Sequence, residues 1–166
     1  MRVGLALGSN LGDRLANLRA ARSSLIALPI ASGPVLSSSL YETEPVGCEP
    51  GAAKFLNAVL EIGCASDAKE LLGELHAIQQ RLGRPDSHRR NQSRTIDIDI
   101  LYVGDTQLDA PELQLPHPRL HQRRFVLAPL AEIRPDLVLP NQTCTIAELL
   151  AKLEDPARVV PLPNEW

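Results

Sequence analysis

The segment Arg94-Thr-Ile-Asp-Ile-Asp-Ile-Leu101 constrains this chain more than any other. Ile96, Ile98 and Ile100 alternate with Thr95, Asp97 and Asp99. A period of two marks a strand, where successive side chains point to opposite faces. One face therefore enters a core, and the other carries two carboxylates. Two strand steps place their Cα atoms roughly 6.6 Å apart. Like charges on one strand face repel unless a cation compensates. Carboxylates at this spacing can converge on one or two divalent ions, and oxygen donors favour Mg2+. Taken alone, the pattern equally describes a half-buried strand with a solvated acidic face.

Around this strand the punctuation predicts further elements. Val3 to Leu7 reads as a buried strand that turns at Gly8-Ser9-Asn10. Asp13 can cap a helix running to about Ala27, with Leu15, Leu18 and Leu25 on one side. Val35–Tyr41 and Phe55–Ile62 read as strands, separated by a loop carrying Pro45 and Gly47. Ser66-Asp67 opens a second helix bearing Leu71, Leu75 and Ile78, stopped by Gly83. After the acidic strand, Gly104-Asp105 suggests a hairpin and Phe125–Ile133 a helix. Thr145-Ile-Ala-Glu148 is a capping box before a short final helix. The order βαββαβ is the split βαβ, ferredoxin-like arrangement. The expected fold is α+β, a mostly antiparallel sheet with helices packed on it. An added C-terminal αβ segment extends and covers that sheet. At 166 residues, the chain is expected to form one domain over 1–166.

Charge narrows the function. Of the 17 basic residues 14 are Arg, which forks onto phosphate better than Lys. Five lie between Arg81 and Arg94, immediately before the acidic strand, and three between Arg119 and Arg124. A divalent ion flanked by Arg is what phosphoryl transfer requires, because both stabilise charge on the transferring group. The Arg84–Arg94 loop, or a plain ion-pair network, could also simply compensate the aspartates. His117 and Arg123 could hold further phosphate oxygens.

Other classes fit poorly. Cys48, Cys64 and Cys144 form no CxxC pair, so neither a zinc site nor a disulfide framework is indicated. Gly8-Ser9-Asn10 matches neither a Walker motif nor GxGxxG. Aromatic residues are 3% of the chain and the net charge is −3, which disfavours a nucleic-acid binder. No apolar run reaches the roughly 18 residues of a membrane span, so no membrane partner and a cytoplasmic setting are expected. No obligate protein partner is evident.

In order and spacing, nearly the whole chain resembles the 6-hydroxymethyl-7,8-dihydropterin pyrophosphokinase family. The resemblance runs through Gly8-Ser9-Asn10, Tyr41-Glu-Thr43, Pro45-Val46-Gly47 and Phe55-Leu-Asn57. It is strongest at Arg94 to Leu101, and resumes at Leu115-Pro-His117 and Arg123-Arg-Phe125-Val-Leu-Ala-Pro129-Leu. It implies a ferredoxin-like core and transfer of pyrophosphate from ATP to a reduced pterin, with AMP released and two Mg2+ ions taking part. By resemblance, Asp97 and Asp99 hold the ions, and Arg84 and Arg94 contact phosphate in the transition state. Arg90, His117 and Arg123 contact the ATP phosphates. Thr43, Pro45 and Val46 edge the pterin pocket, Phe55 and Phe125 sandwich the ring, and Asn57 binds its polar edge. The chain departs from the family at Asn91-Gln92-Ser93, where members carry Trp-Gly-Pro, and at Gln79, where they carry Glu. Two alternatives stand beside the kinase: a diverged paralogue for another reduced pterin, and a non-catalytic pterin- or nucleotide-binding protein.

Overall fold

Strand β1 (Arg2–Ser9) shows how the sheet divides its two faces. In this computed structural model, which describes residues 1–45, 51–83, 93–163 and 166, Val3, Leu5 and Leu7 are buried on one face of β1. Gly4, Ala6 and Gly8 occupy the other face, as the period of two requires. Helix α1 (Arg14–Ile26) follows, its start set by Asp13, whose carboxylate accepts from the Ala16 N–H. The next stretch is broken into β2 (Ala31–Ser37) and β3 (Leu40–Thr43). Then come β4 (Phe55–Cys64), α2 (Ala68–Arg81, capped by Asp67) and β5 (Asp97–Val103).

The strands run in the order β5-β1-β4-β3, with β2 also paired to β4, and every pairing is antiparallel. Counting β2 and β3 as one interrupted strand, this is the expected ferredoxin-like core. The remaining chain adds short strands β6 (Leu108–Asp109) and β7 (Gln114–Leu115), which pair with each other. Helices α3 (Arg124–Ile133) and α4 (Ile146–Lys152) follow, the latter with the full Thr145/Glu148 capping box. Strand β8 (Val159–Leu162) then joins the sheet outside β3. The added segment thus extends the sheet and covers it. Within the described residues no helix is long and apolar enough to cross a membrane.

Two cores result. Below the sheet, Leu18, Ala21 and Leu25 of α1 and Leu71, Leu75 and Ile78 of α2 pack on Val3, Leu5, Leu7, Leu60, Ile98 and Ile100. Each large apolar side chain buried this way contributes about 1.5–3 kcal/mol. Above the sheet, Val126, Leu127 and Leu130 of α3 and Ile146 of α4 pack on Val59, Leu101 and Tyr102. Gly4 is what allows this: a Cβ there would fall inside the Tyr102 ring. Upper-face packing is therefore tied to the Gly4 end of β1. The Gly8 end carries polar neighbours instead.

Candidate active site

Across the Gly8 end, the register sets Tyr41, Asn57, Gly8 and Asp97 in one row over four strands. Asp99 sits beside Ala6, one pleat along. Both aspartates are half-buried, while Ile98 and Ile100 are buried beneath, so the alternation of β5 is as expected. The Arg94 guanidinium meets Asp97 Oδ2 at 2.6 Å.

Gly8 forms a floor between the acidic pair and a second pair of groups. A Cβ on Gly8 would come within 2.9 Å of Asn57 Oδ1 and 3.8 Å of the Phe55 ring. Asn57 Nδ2 donates to Thr43 Oγ1 at 2.7 Å, in a buried hydrogen bond. The amide is thereby oriented with its oxygen over Gly8, where it can accept from a ligand N–H. Phe55 and Pro45 are half-buried at this edge.

The third wall comes from the chain after β5. Leu101 is an extra residue in the ladder, since Leu5 faces Ile100 and Gly4 faces Tyr102. Such a bulge re-aims the strand. The Leu101 carbonyl accepts from the His117 N–H at 2.8 Å, which ties His117 to the end of β5. His117 Nδ1 in turn accepts from the Arg119 N–H at 3.1 Å, so the neutral ring carries its proton on Nε2. Burial, then Arg123 and Arg119, push this imidazole down to about 4, and Asp97 pulls the other way. Burial and Arg119 also lower Arg123, against the pull of Asp99 and Asp97. The Arg123 guanidinium lies 5.4 Å from the centroid of the half-buried Phe125 ring.

His117 is expected to stay neutral through the physiological range. An NMR titration should give its midpoint near 4, and a midpoint at the ordinary 6.5 would show that burial and the two arginines do not hold the ring neutral. The unfolded ring binds its proton at a higher pH than the folded one. This contribution to stability is therefore complete above about 6.5 and is lost as pH falls toward 4.

Of the residues expected at the site, Arg94, Asp97, Asp99, His117, Arg123, Thr43, Pro45, Phe55, Asn57 and Phe125 are described. Arg84, Arg90 and Val46 lie outside the described residues, as does Cys48. Two further buried polar groups stand beside the described site residues. Asn10, 2% exposed, binds the backbone at Arg94 and Ala53. Gln79, 4% exposed, accepts the Ile98 N–H at 3.0 Å between the two aspartates. Gln79, the position where family members carry Glu, is a polar residue beside the apolar stripe of α2. Gln79→Ala leaves a buried N–H without that acceptor and should cost about 1–3 kcal/mol, read as a lower denaturation midpoint. An unchanged midpoint would mean the N–H is satisfied otherwise.

Among the described residues no group of three or more His, Cys, Asp or Glu is placed to enclose a metal ion. Among the described residues the donor set is two half-buried carboxylates, which suits an ion that completes its shell with phosphate and water.

Two aspartates with Arg94, Arg123 and His117 near one another on a ferredoxin-like sheet are an arrangement suited to a phosphoryl transferase. The model of the 7,8-dihydro-6-hydroxymethylpterin-pyrophosphokinase (HPPK) family matches residues 4–135, and the chain belongs to that family. A 2-amino-4-hydroxy-6-hydroxymethyldihydropteridine pyrophosphokinase of Bacillus subtilis (strain 168) is 44% identical over 78% of this chain and 75% of its own. One from Methylorubrum extorquens is 41% identical over 92% of this chain and 94% of its own. Among solved structures, wild-type Plasmodium falciparum HPPK-DHPS with pteroate superposes with a TM-score of 0.69 at 17% identity. That likeness covers 91% of this chain and 42% of the longer one, and it bears on the fold alone.

Proposed function

We propose that this pyrophosphokinase moves the pyrophosphoryl group of ATP to the hydroxymethyl oxygen of 6-hydroxymethyl-7,8-dihydropterin, in folate biosynthesis. The observation that carries the reading is the shared floor at Gly8. An aromatic–carboxamide pair lies on one side of it and two aspartates on the other. A flat heterocycle needs an apolar face and a few directed polar groups, and a triphosphate needs cations.

On this reading Asn57 Oδ1 accepts a pterin N–H while Thr43 holds the amide. Phe55 and Phe125 offer ring faces, and Pro45 closes an edge. His117 donates Nε2–H to a phosphate oxygen, and Arg123 and Arg94 bring positive charge. Asp97 and Asp99 would hold Mg2+, two ions by the family resemblance, which supplies charge neutralisation for the phosphates and lowers the pKa of the substrate hydroxyl. The hydroxymethyl oxygen attacks the β-phosphorus, the bond from that phosphorus to the α–β bridging oxygen breaks, and AMP leaves. Arg84 and Arg90 are assigned to phosphate and Val46 to the pterin edge on the resemblance alone. The chain acts as one domain, in a cytoplasmic setting, with no nucleic acid or membrane needed.

The test is an assay with ATP, Mg2+ and 6-hydroxymethyl-7,8-dihydropterin, separating nucleotides by chromatography. AMP formed in step with a pterin diphosphate is the expected result. ADP, or binding of both ligands with no nucleotide released, would overturn the reading in favour of another transfer or a non-catalytic binder.

A further inference from the structure

Asn10 stands where three remote segments meet. Its backbone N–H donates to the Arg94 carbonyl at 3.2 Å, and its Oδ1 accepts the Arg94 N–H at 2.8 Å. Its Nδ2 donates to Ser93 Oγ at 3.1 Å and to the Ala53 carbonyl at 3.3 Å. A carboxamide is the compact side chain that supplies an acceptor and two donors at once. The turn that carries it is held from α1, because Asn17 Nδ2 donates to Ser9 Oγ at 3.2 Å and to the Leu11 carbonyl at 2.9 Å.

The two segments it joins lead into opposite walls of the site. Ala53 runs into Phe55 and Asn57, and Arg94 runs into Asp97 and Asp99. The segments approach the same amide from sequence separations of 43 and 83 residues. Neither can shift without loading the hydrogen bonds of the other.

We propose that Asn10 is a positioning residue that couples the two walls, so that filling the Phe55–Asn57 side strengthens binding on the Arg94–Asp97 side. This rests on the assignment of those walls to pterin and nucleotide. Coupling of this kind is reciprocal: each ligand raises the affinity for the other by the same factor.

Asn10→Asp tests it with little change of shape, keeping the acceptor for Arg94 and losing both side-chain donors. In the wild type, a non-hydrolysable ATP analogue with Mg2+ should raise pterin affinity about tenfold or more by calorimetry. In Asn10→Asp the gain should shrink to about twofold or less, while each ligand alone binds within about threefold of wild type. Asn10→Ser, with a hydroxyl too short to span both segments, should behave likewise. Hydrogen exchange supplies a readout that needs no ligand. Ser93→Ala, at a half-exposed position, should speed exchange at residues 53–56, with the interior of β4 unchanged.

An undiminished affinity gain in Asn10→Asp would overturn the proposal. So would wild-type exchange at residues 53–56 in Ser93→Ala. Failure to release AMP in the wild type, with the exchange coupling intact, would sink the pyrophosphokinase reaction and leave the Asn10 link standing.

Discussion

Replacing Asp97 or Asp99 with asparagine should lower turnover about a thousandfold, some 4 kcal/mol of transition-state stabilisation at about 1.36 kcal/mol per decade. Asparagine keeps the shape of the side chain and removes its charge. Among the described residues no third carboxylate, His or Cys completes a cluster with the pair, so each aspartate is half of the available acidic donor set. The two variants should differ in stability in a telling way. Asp97 meets Arg94 at 2.6 Å in a partly buried pair, so Asp97→Asn should lose roughly 1 kcal/mol. Asp99→Asn relieves like-charge repulsion on the strand face but also weakens the pull on the half-buried Arg123, so its two effects on stability oppose each other. The checks are AMP release and calorimetric binding of Mn2+ in the presence of a non-hydrolysable ATP analogue. Chelation should abolish wild-type turnover, and Mg2+ should restore it. Wild-type turnover in either variant would remove the metal assignment.

Much of this site could be read without coordinates, because local rules govern it. The alternation of Ile96 to Asp99 needs only the strand period, and the Asp13, Asp67 and Thr145 caps act within four residues of themselves. What escaped reading depends on partners far along the chain. Val35–Tyr41 was expected as one strand, yet it divides at Ser38 and Ser39. There the Val59 N–H donates to Ser38 Oγ, and Glu132 of α3 takes the Ser39 N–H and hydroxyl. The same Glu132 accepts from Tyr41, whose phenol is pushed up to about 12 by burial and then by that carboxylate. Strand β8 has four residues including Pro161 and no clear alternation, so it exists through its pairing with the β3 edge. Asn10 looked like part of a structural turn, since nothing local shows that its amide reaches Ala53 and Ser93.

The hardest feature to foresee was Glu61, a carboxylate in the middle of an otherwise buried strand. It is 1% exposed, and its partners come from three other elements. Tyr102 donates its hydroxyl at 2.5 Å, Arg2 approaches at 2.6 Å, and Arg134 donates Nε at 2.9 Å. Arg134 directly follows α3, so the cluster fixes the end of that helix to the sheet whose other end carries the site.

Glu61→Ala should therefore be clearly destabilising, about 1–3 kcal/mol, because it leaves the buried Tyr102 phenol without its acceptor and two partly exposed guanidiniums without their partner. At this chain length that lowers the melting temperature by about 2–12 °C. Glu61→Gln keeps the volume and separates charge from packing. Burial alone would raise the Glu61 carboxyl, but the hydrogen bonds from Arg134, Tyr102 and Arg2 outweigh it and hold the group below its ordinary 4.5. A carboxyl depressed by folding stabilises the protein above its unfolded pKa, and that contribution is lost as pH falls through the folded one. The gap between wild type and Glu61→Gln should thus be widest above pH 4.5 and narrow below it. Denaturant melts followed by Trp166, the chain's single tryptophan, read this directly. A gap that stays constant from pH 7 to pH 3 would show that the cluster stabilises through shape and not through charge.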